Sequence, residues 1–262
     1  MIDDDGAAPI SSGVDAAPTA GFLAELQLAF SFLTILPVID RRPASDATVT
    51  ASFTWFPLVG LTLGAALCGV DWILAHVLGQ VMRSVIVILF LTIITGAVHL
   101  DGLADTADAL GAGRDRERAL EIMRDSRLGT FGALAVFFDL SLKILALSTL
   151  TGSRRYDALI VAPMLARLAM LAIPHGMAYL RERGAGSVLL ARRDIFDRRL
   201  IAALAAILLA ALIGGFRTVL IAVAVVLATR WFYRRWLGGV TGDLIGAGGE
   251  LVEIALLVAM TM

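Results

Sequence analysis

Three aspartates, Asp101, Asp105 and Asp108, stand four and three residues apart in the segment HLDGLADTADALG at positions 99–111. On an α-helix that spacing places them within an arc of about 60° on one face. Like charges one turn apart repel by about 0.2–0.5 kcal/mol when exposed, and by more where water is scarce, so a compensating cation is expected. Hard divalent cations such as Mg²⁺ take carboxylate oxygens together with substrate phosphate oxygens, the combination that phosphoryl transfer requires. An acidic helix start favoured by the helix dipole has the same spacing without any chemistry.

A second block, EIMRDSRLGTFGA at 121–133, places Arg124 and Arg127 around Asp125 and Ser126, with Gly129, Thr130 and Gly132 at the entry to the next apolar run. Arginines clamp phosphate oxygens bidentately, and glycines let a backbone approach a ligand closely. Interface anchoring by arginine with glycine-assisted helix packing accounts for the block equally well. A third piece, GGVTGDLIGAGGELVE at 238–253, carries Thr241, Asp243, Glu250 and Glu253. Glu250 and Glu253 fall in an apolar run, where an ionisable group is costly and is therefore functional or paired; Arg167, in the middle of another run, is the natural partner. His99 adjoins the acidic segment as a candidate base or orienting group, whereas His76 and His175 lie at the ends of apolar runs.

These blocks must be positioned by elements suited to lipid. The 262 residues are 58% hydrophobic, with 22 Lys+Arg against 23 Asp+Glu and a mean hydropathy of +0.84. The near-neutral balance excludes bulk nucleic-acid binding. Cys68, alone in an apolar run, supports neither a disulfide framework nor a cysteine metal site. Residues 1–20 are acidic and rich in Ala, Pro and Gly, and read as a disordered tail. A bilayer core of about 30 Å needs roughly 20 apolar residues in helix. Runs at 52–78, 84–100, 129–150, 157–178 and 244–262 meet that need. The block 200–233, interrupted by Gly214 and Gly215, is expected to form a hairpin of two short helices. Asp139 and Lys143, four apart, are expected to pair on one helix face. The expected fold is thus all-α, a polytopic integral membrane helical bundle of about seven spans plus a short apolar segment at 22–37. Residues 21–262 would form one membrane-embedded catalytic domain. Arginines concentrate in the loops 101–128 and 179–199, beside Arg41, Arg42 and the group Arg230, Arg234 and Arg235, which puts that side in the cytoplasm.

The stretches FLTILPV (32–38), FPLVGLTLG (56–64), HLDGLADTADALG, RERALEIMRDSRLGTFGALA (116–135) and GGVTGDLIGAGGELVE, in this order, resemble the cobalamin synthase family, the adenosylcobinamide-GDP ribazoletransferases. That family commonly has an arginine where Ile35 stands and a threonine where Leu244 stands. The resemblance implies a multi-pass enzyme of the bacterial cytoplasmic (inner) membrane. It would join α-ribazole, or its 5′-phosphate, to adenosylcobinamide-GDP with release of GMP, using Mg²⁺. It further implies Asp101, Asp105 and Asp108 at the metal, Asp125 or Asp243 as a further ligand or base, and Arg124 and Arg127 at the phosphates. Two other readings compete. A CDP-alcohol phosphotransferase-like phospholipid enzyme shares the chemistry, although its arginine and wider aspartate spacing are missing here. An ion-coupled transporter would use Glu250, Glu253 and Arg167 as an intramembrane relay. Gly60 and Gly64, at four-residue spacing, suggest a homo-oligomer contact.

Overall fold

A computed structural model describes residues 21–37, 44–111, 113, 115–181 and 196–262. The expected tail at 1–20, Arg41, Arg42 and most of the 179–199 loop lie outside the described residues. Helix α1 (Phe22–Leu33) is followed by α2 (Asp46–Ser52), a 3₁₀ turn, α3 (Phe56–Leu74) and α4 (Gln80–Ile94). Then come α5 (Val98–Leu110), α6 (Arg116–Ile122), α7 (Thr130–Thr149) and α8 (Gly152–Ala172). The chain closes with β1 (Ala178–Tyr179), α9 (Phe196–Gly214), α10 (Phe216–Trp236), β2 (Gly239–Val240) and α11 (Gly242–Ala259).

The segment Asp46–Leu74, α7 and α10 are long and apolar enough to cross a bilayer, with α4 and α5 a fourth candidate only as a pair bent by 89°. Large apolar side chains such as Phe137, Phe138, Leu208, Leu212, Leu220 and Leu227 point outward and stay exposed, as lipid-facing positions do. The expected span at 84–100 is corrected: it stops at Ile94, because Gly96 and Ala97 take left-handed backbone conformations with φ of 62° and 54°. His99 and the aspartates therefore belong to a separate helix. The hairpin at 200–233 forms around Gly215, whose φ is 81°. Its helices are 19 and 21 residues long rather than short, because the flanking charged turns join them. At twelve residues α1 is about 18 Å long, too short to span a bilayer. Its Glu25 is buried and held by Trp55 Nε1 at 3.1 Å and Arg198 Nη2 at 2.6 Å.

Helix α8 lies at the centre, buried along 161–170 between α3, α9 and α11. Pro163 lacks an N–H, so the Leu159 carbonyl loses its usual helical partner, and α3 packs closely on this stretch of α8. A Cβ at Gly64 would lie 2.7 Å from the Leu159 carbonyl, and one at Gly60 2.5 Å from that of Pro163. The small-residue face expected to mediate self-association is thus occupied within the chain by α8. At the end of the bundle near 71–84, Arg155 grips Asp71 through Nε–Oδ2 at 3.0 Å and Nη2–Oδ1 at 2.6 Å, and donates to the Leu147 carbonyl at 2.5 Å. Both side chains are buried, and the pair ties α3 to α8.

Candidate active site

Helix α5 turns away from α4 and runs antiparallel to the start of α11. Close approach requires glycine: a Cβ at Gly102 would meet the Asp243 carbonyl at 2.8 Å, and Gly246 faces the backbone of His99 at 3.3 Å. This contact sets Asp101 and Asp105 beside Asp243. The chain after α6 brings Met123, Arg124, Asp125 and Ser126 across from them, and Arg181 closes the ring. These eight residues line a cleft of about 560 Å³, within the range of about 300–1,000 Å³ usual for small-molecule sites.

Charge is unevenly compensated in this cleft. Burial, then the charges of Asp101 and Asp243, lift the Asp105 carboxyl to about 6, against the pull of Arg181. Asp125, gripped by Arg127 through Nε–Oδ2 at 2.9 Å, is held below the usual carboxylate range. Among the described residues no three His, Cys, Asp or Glu side chains converge closely enough to hold a metal unaided. Mg²⁺ asks for less, since it keeps waters and takes one or two carboxylates plus substrate phosphates. Asp101 and Asp105, one turn apart and under mutual repulsion, are a donor set of that kind.

The remaining predicted site residues sit elsewhere. Asp108, one turn further along α5, accepts hydrogen bonds from the Gly129 and Gly132 amides at 2.8 Å each. It satisfies two otherwise unpaired donors at the α7 N-terminus and complements that helix's dipole. A Cβ at either glycine would collide with the Asp108 carboxylate, so these glycines make room for a side chain of the protein itself. Asp108→Ala should therefore lower stability by about 1 kcal/mol, read as a fall in Tm, the usual scale for loss of a helix cap. Thr130 is exposed in the first turn of α7, and Arg127 is exposed on Asp125. Thr241 is buried and caps α11, accepting from the Leu244 amide at 3.3 Å.

His99, Arg167 and Glu250 belong to a second, buried cluster. Lys143 Nζ lies 2.9 Å from Asp139 and 3.2 Å from Glu253, and also contacts Glu250; Arg167 Nη1 bonds Glu253 at 2.5 Å. The expected Asp139–Lys143 and Arg167 pairings are both present, merged into one network across α7, α8 and α11. His99 Nδ1 is 4.0 Å from Glu250 and does not line the cleft.

Arg181 was missed as a site residue, having counted only as one arginine of a basic loop. β1 and β2 pair in parallel with Ala178 opposite Gly239, and Leu180 N–H donates to the Val240 carbonyl at 2.9 Å. The register delivers Arg181 to Asp243, with which it forms an ion pair, and to the Met123 carbonyl at 3.0 Å.

Residues 25–261 match the family model described as cobalamin-5-phosphate synthase. The chain belongs to this family. A member from Syntrophobacter fumaroxidans, named adenosylcobinamide-GDP ribazoletransferase, is 40% identical over 237 residues, covering 88% of this chain and 95% of its own. Family members with the same name from Geotalea daltonii and Klebsiella pneumoniae are 36% and 38% identical, covering 89% and 88% of this chain and 95% and 97% of their own. No solved structure matches the chain. Of the two positions where the family commonly differs, Leu244 is buried in the core of α11 and Ile35 packs over Gly96. Neither lines the cleft.

Proposed function

We propose that the chain is an adenosylcobinamide-GDP ribazoletransferase. The 3′-hydroxyl oxygen of α-ribazole, or of its 5′-phosphate, attacks the phosphorus bound to cobinamide. The new P–O bond replaces the bond to GMP, GMP leaves, and the hydroxyl proton is released. The observation that carries this reading is the acidic cleft with arginines on its wall, in a chain whose relatives bear that enzyme's name. Such a transfer depends on in-line positioning and charge neutralisation more than on a covalent nucleophile.

Asp101 and Asp105 are the residues placed to hold Mg²⁺. Bound there, the ion would neutralise charge on the diphosphate oxygens. Arg124 sits where it can hold phosphate oxygens, and Asp125 keeps Arg127 to itself. The molecule is read as a seven-span protein of the bacterial inner membrane with its cleft toward the cytoplasm. In this reading α3, α4, α7, α8, α9, α10 and α11 cross. The charges inside α8 and α11 are paired within the bundle: Arg167 with Glu253, and Glu250 and Glu253 with Lys143 of α7. The same pairing leaves the carboxylates of a transporter relay bound to Lys143 and Arg167, which weighs against transport.

Purified protein in detergent with adenosylcobinamide-GDP, α-ribazole 5′-phosphate and Mg²⁺ should release GMP, with chelation of the metal abolishing release. Absence of GMP in a folded sample would overturn the reading. Turnover of a CDP-alcohol with release of CMP would replace it with the phospholipid alternative.

A further inference from the structure

Arg181 lines the same cleft as the carboxylates assigned to the metal and bridges its two sides, and its position is built rather than incidental. The two-residue β1–β2 pairing is possible because position 239 is glycine: a Cβ there would collide with the Ala178 carbonyl and lie 2.5 Å from Leu180 Cδ2. Beyond this clamp the Arg181 guanidinium is tethered twice through Nη2, to the Asp243 carboxylate and to the Met123 carbonyl. Its side chain is 29% exposed and that of Asp243 19%, so both are largely drawn in from solvent while still lining the cleft. A guanidinium offers five donors in a planar fork, and tethering through one nitrogen fixes its plane while others can still serve an oxyanion.

The alternative anion sites nearby are taken. The α7 N-terminus is filled by Asp108, the α11 N-terminus is capped by Thr241, and Arg127 is engaged by Asp125. A diphosphate seated against Asp101 and Asp105 would therefore meet Arg181 as the tethered cation of the cleft, with the exposed Arg124 also in its lining.

We propose that Arg181 binds the diphosphate of adenosylcobinamide-GDP and that Asp243 is a positioning residue that holds the guanidinium ready for it. This rests on the ribazoletransferase reading. The acceptor's 5′-phosphate is the other phosphate in the reaction, and it does not depend on Arg181.

The test compares the parent with Arg181→Gln, Arg181→Lys and Asp243→Asn in detergent, with thermal unfolding to verify folding. Equilibrium dialysis of adenosylcobinamide-GDP in the presence of Mg²⁺ should show about 10- to 100-fold weaker binding for Arg181→Gln, the scale of one lost charge-assisted hydrogen bond. Arg181→Lys, which keeps the charge without the fork, should fall between the two. Asp243→Asn should raise KM for adenosylcobinamide-GDP and weaken its binding in dialysis, by less than Arg181→Gln does, with the KM for α-ribazole 5′-phosphate near that of the parent. The KM for α-ribazole 5′-phosphate should move by less than about twofold in the arginine variants. Unchanged dialysis binding in a folded Arg181→Gln would overturn the inference, as would a KM change confined to the acceptor. Binding without GMP release by the parent would instead overturn the ribazoletransferase reading and leave the Arg181 result interpretable. Should Arg181→Gln fail to fold, unchanged binding in Arg181→Lys overturns the assignment of the fork.

Discussion

Asp105→Asn should lose GMP release by about 10²–10³-fold, the scale on which a single preorganised charge contributes to a transition state. The same substitution should hold Tm or raise it. The two effects point in opposite directions because the carboxylate is badly placed for the fold: it is half-buried, faces Asp101 and Asp243, and titrates near 6. A residue that serves only structure would not be kept in such company, whereas one that meets a metal and a diphosphate would be. Asp105→Ala should lose activity as fully, with a Tm change that also includes lost packing. Rates of GMP release across a Mg²⁺ titration, with unfolding scans of the same preparations, separate the terms. Full activity in either variant would remove the metal site from α5.

The neighbouring Asp108 shows how far spacing carries a reading. The helical spacing of three aspartates was visible in the sequence, and two of them, Asp101 and Asp105, do line the cleft together. The third shares their face but lies one turn on, where the α7 N-terminus, and not the cleft, is its neighbour. Helical periodicity fixes angle around an axis and says nothing of what stands beside each turn. The signal that would have separated Asp108 was the pair Gly129 and Gly132, read as room for a ligand although the room is for a carboxylate. Gly60 and Gly64 were legible as a close-packing face for the same reason, but the motif names no partner, and the partner is α8. The pairing of Asp71 with Arg155 was not legible because a sequence records charge and not depth. Arg181 was least legible: its placement depends on a parallel pairing of two residues with two others some sixty positions away, too short for any periodic pattern. By contrast, Asp139 with Lys143 and Arg167 with Glu253 could be paired in advance, because burial of a charge in an apolar run leaves few other outcomes.

That buried network gives the largest expected effect on stability. Lys143→Met should destabilise the protein by about 3–5 kcal/mol, enough for most of it to be lost on extraction into detergent. Three carboxylates, Asp139, Glu250 and Glu253, surround the ammonium, and all four side chains are almost fully buried. Among the described residues, removing Lys143 leaves Arg167 as the arginine or lysine beside them, and its hydrogen bond goes to Glu253. If the cost comes from uncompensated charge, neutralising the stranded partners should recover it. The triple variant Lys143→Met, Asp139→Asn, Glu250→Gln should return most of the folded yield and Tm, because two amides in place of two carboxylates leave Glu253 paired with Arg167. A cost arising from lost volume would persist in the triple variant, and that result would reject the electrostatic account. The network also lies directly behind the cleft. His99 touches it two residues before Asp101 on α5, and Glu250 belongs to the helix that starts beside Asp243. Activity should therefore return with the fold in the triple variant only as far as α5 and α11 regain their register. The ratio of recovered GMP release to recovered folded protein measures how closely the buried charges set the position of the site.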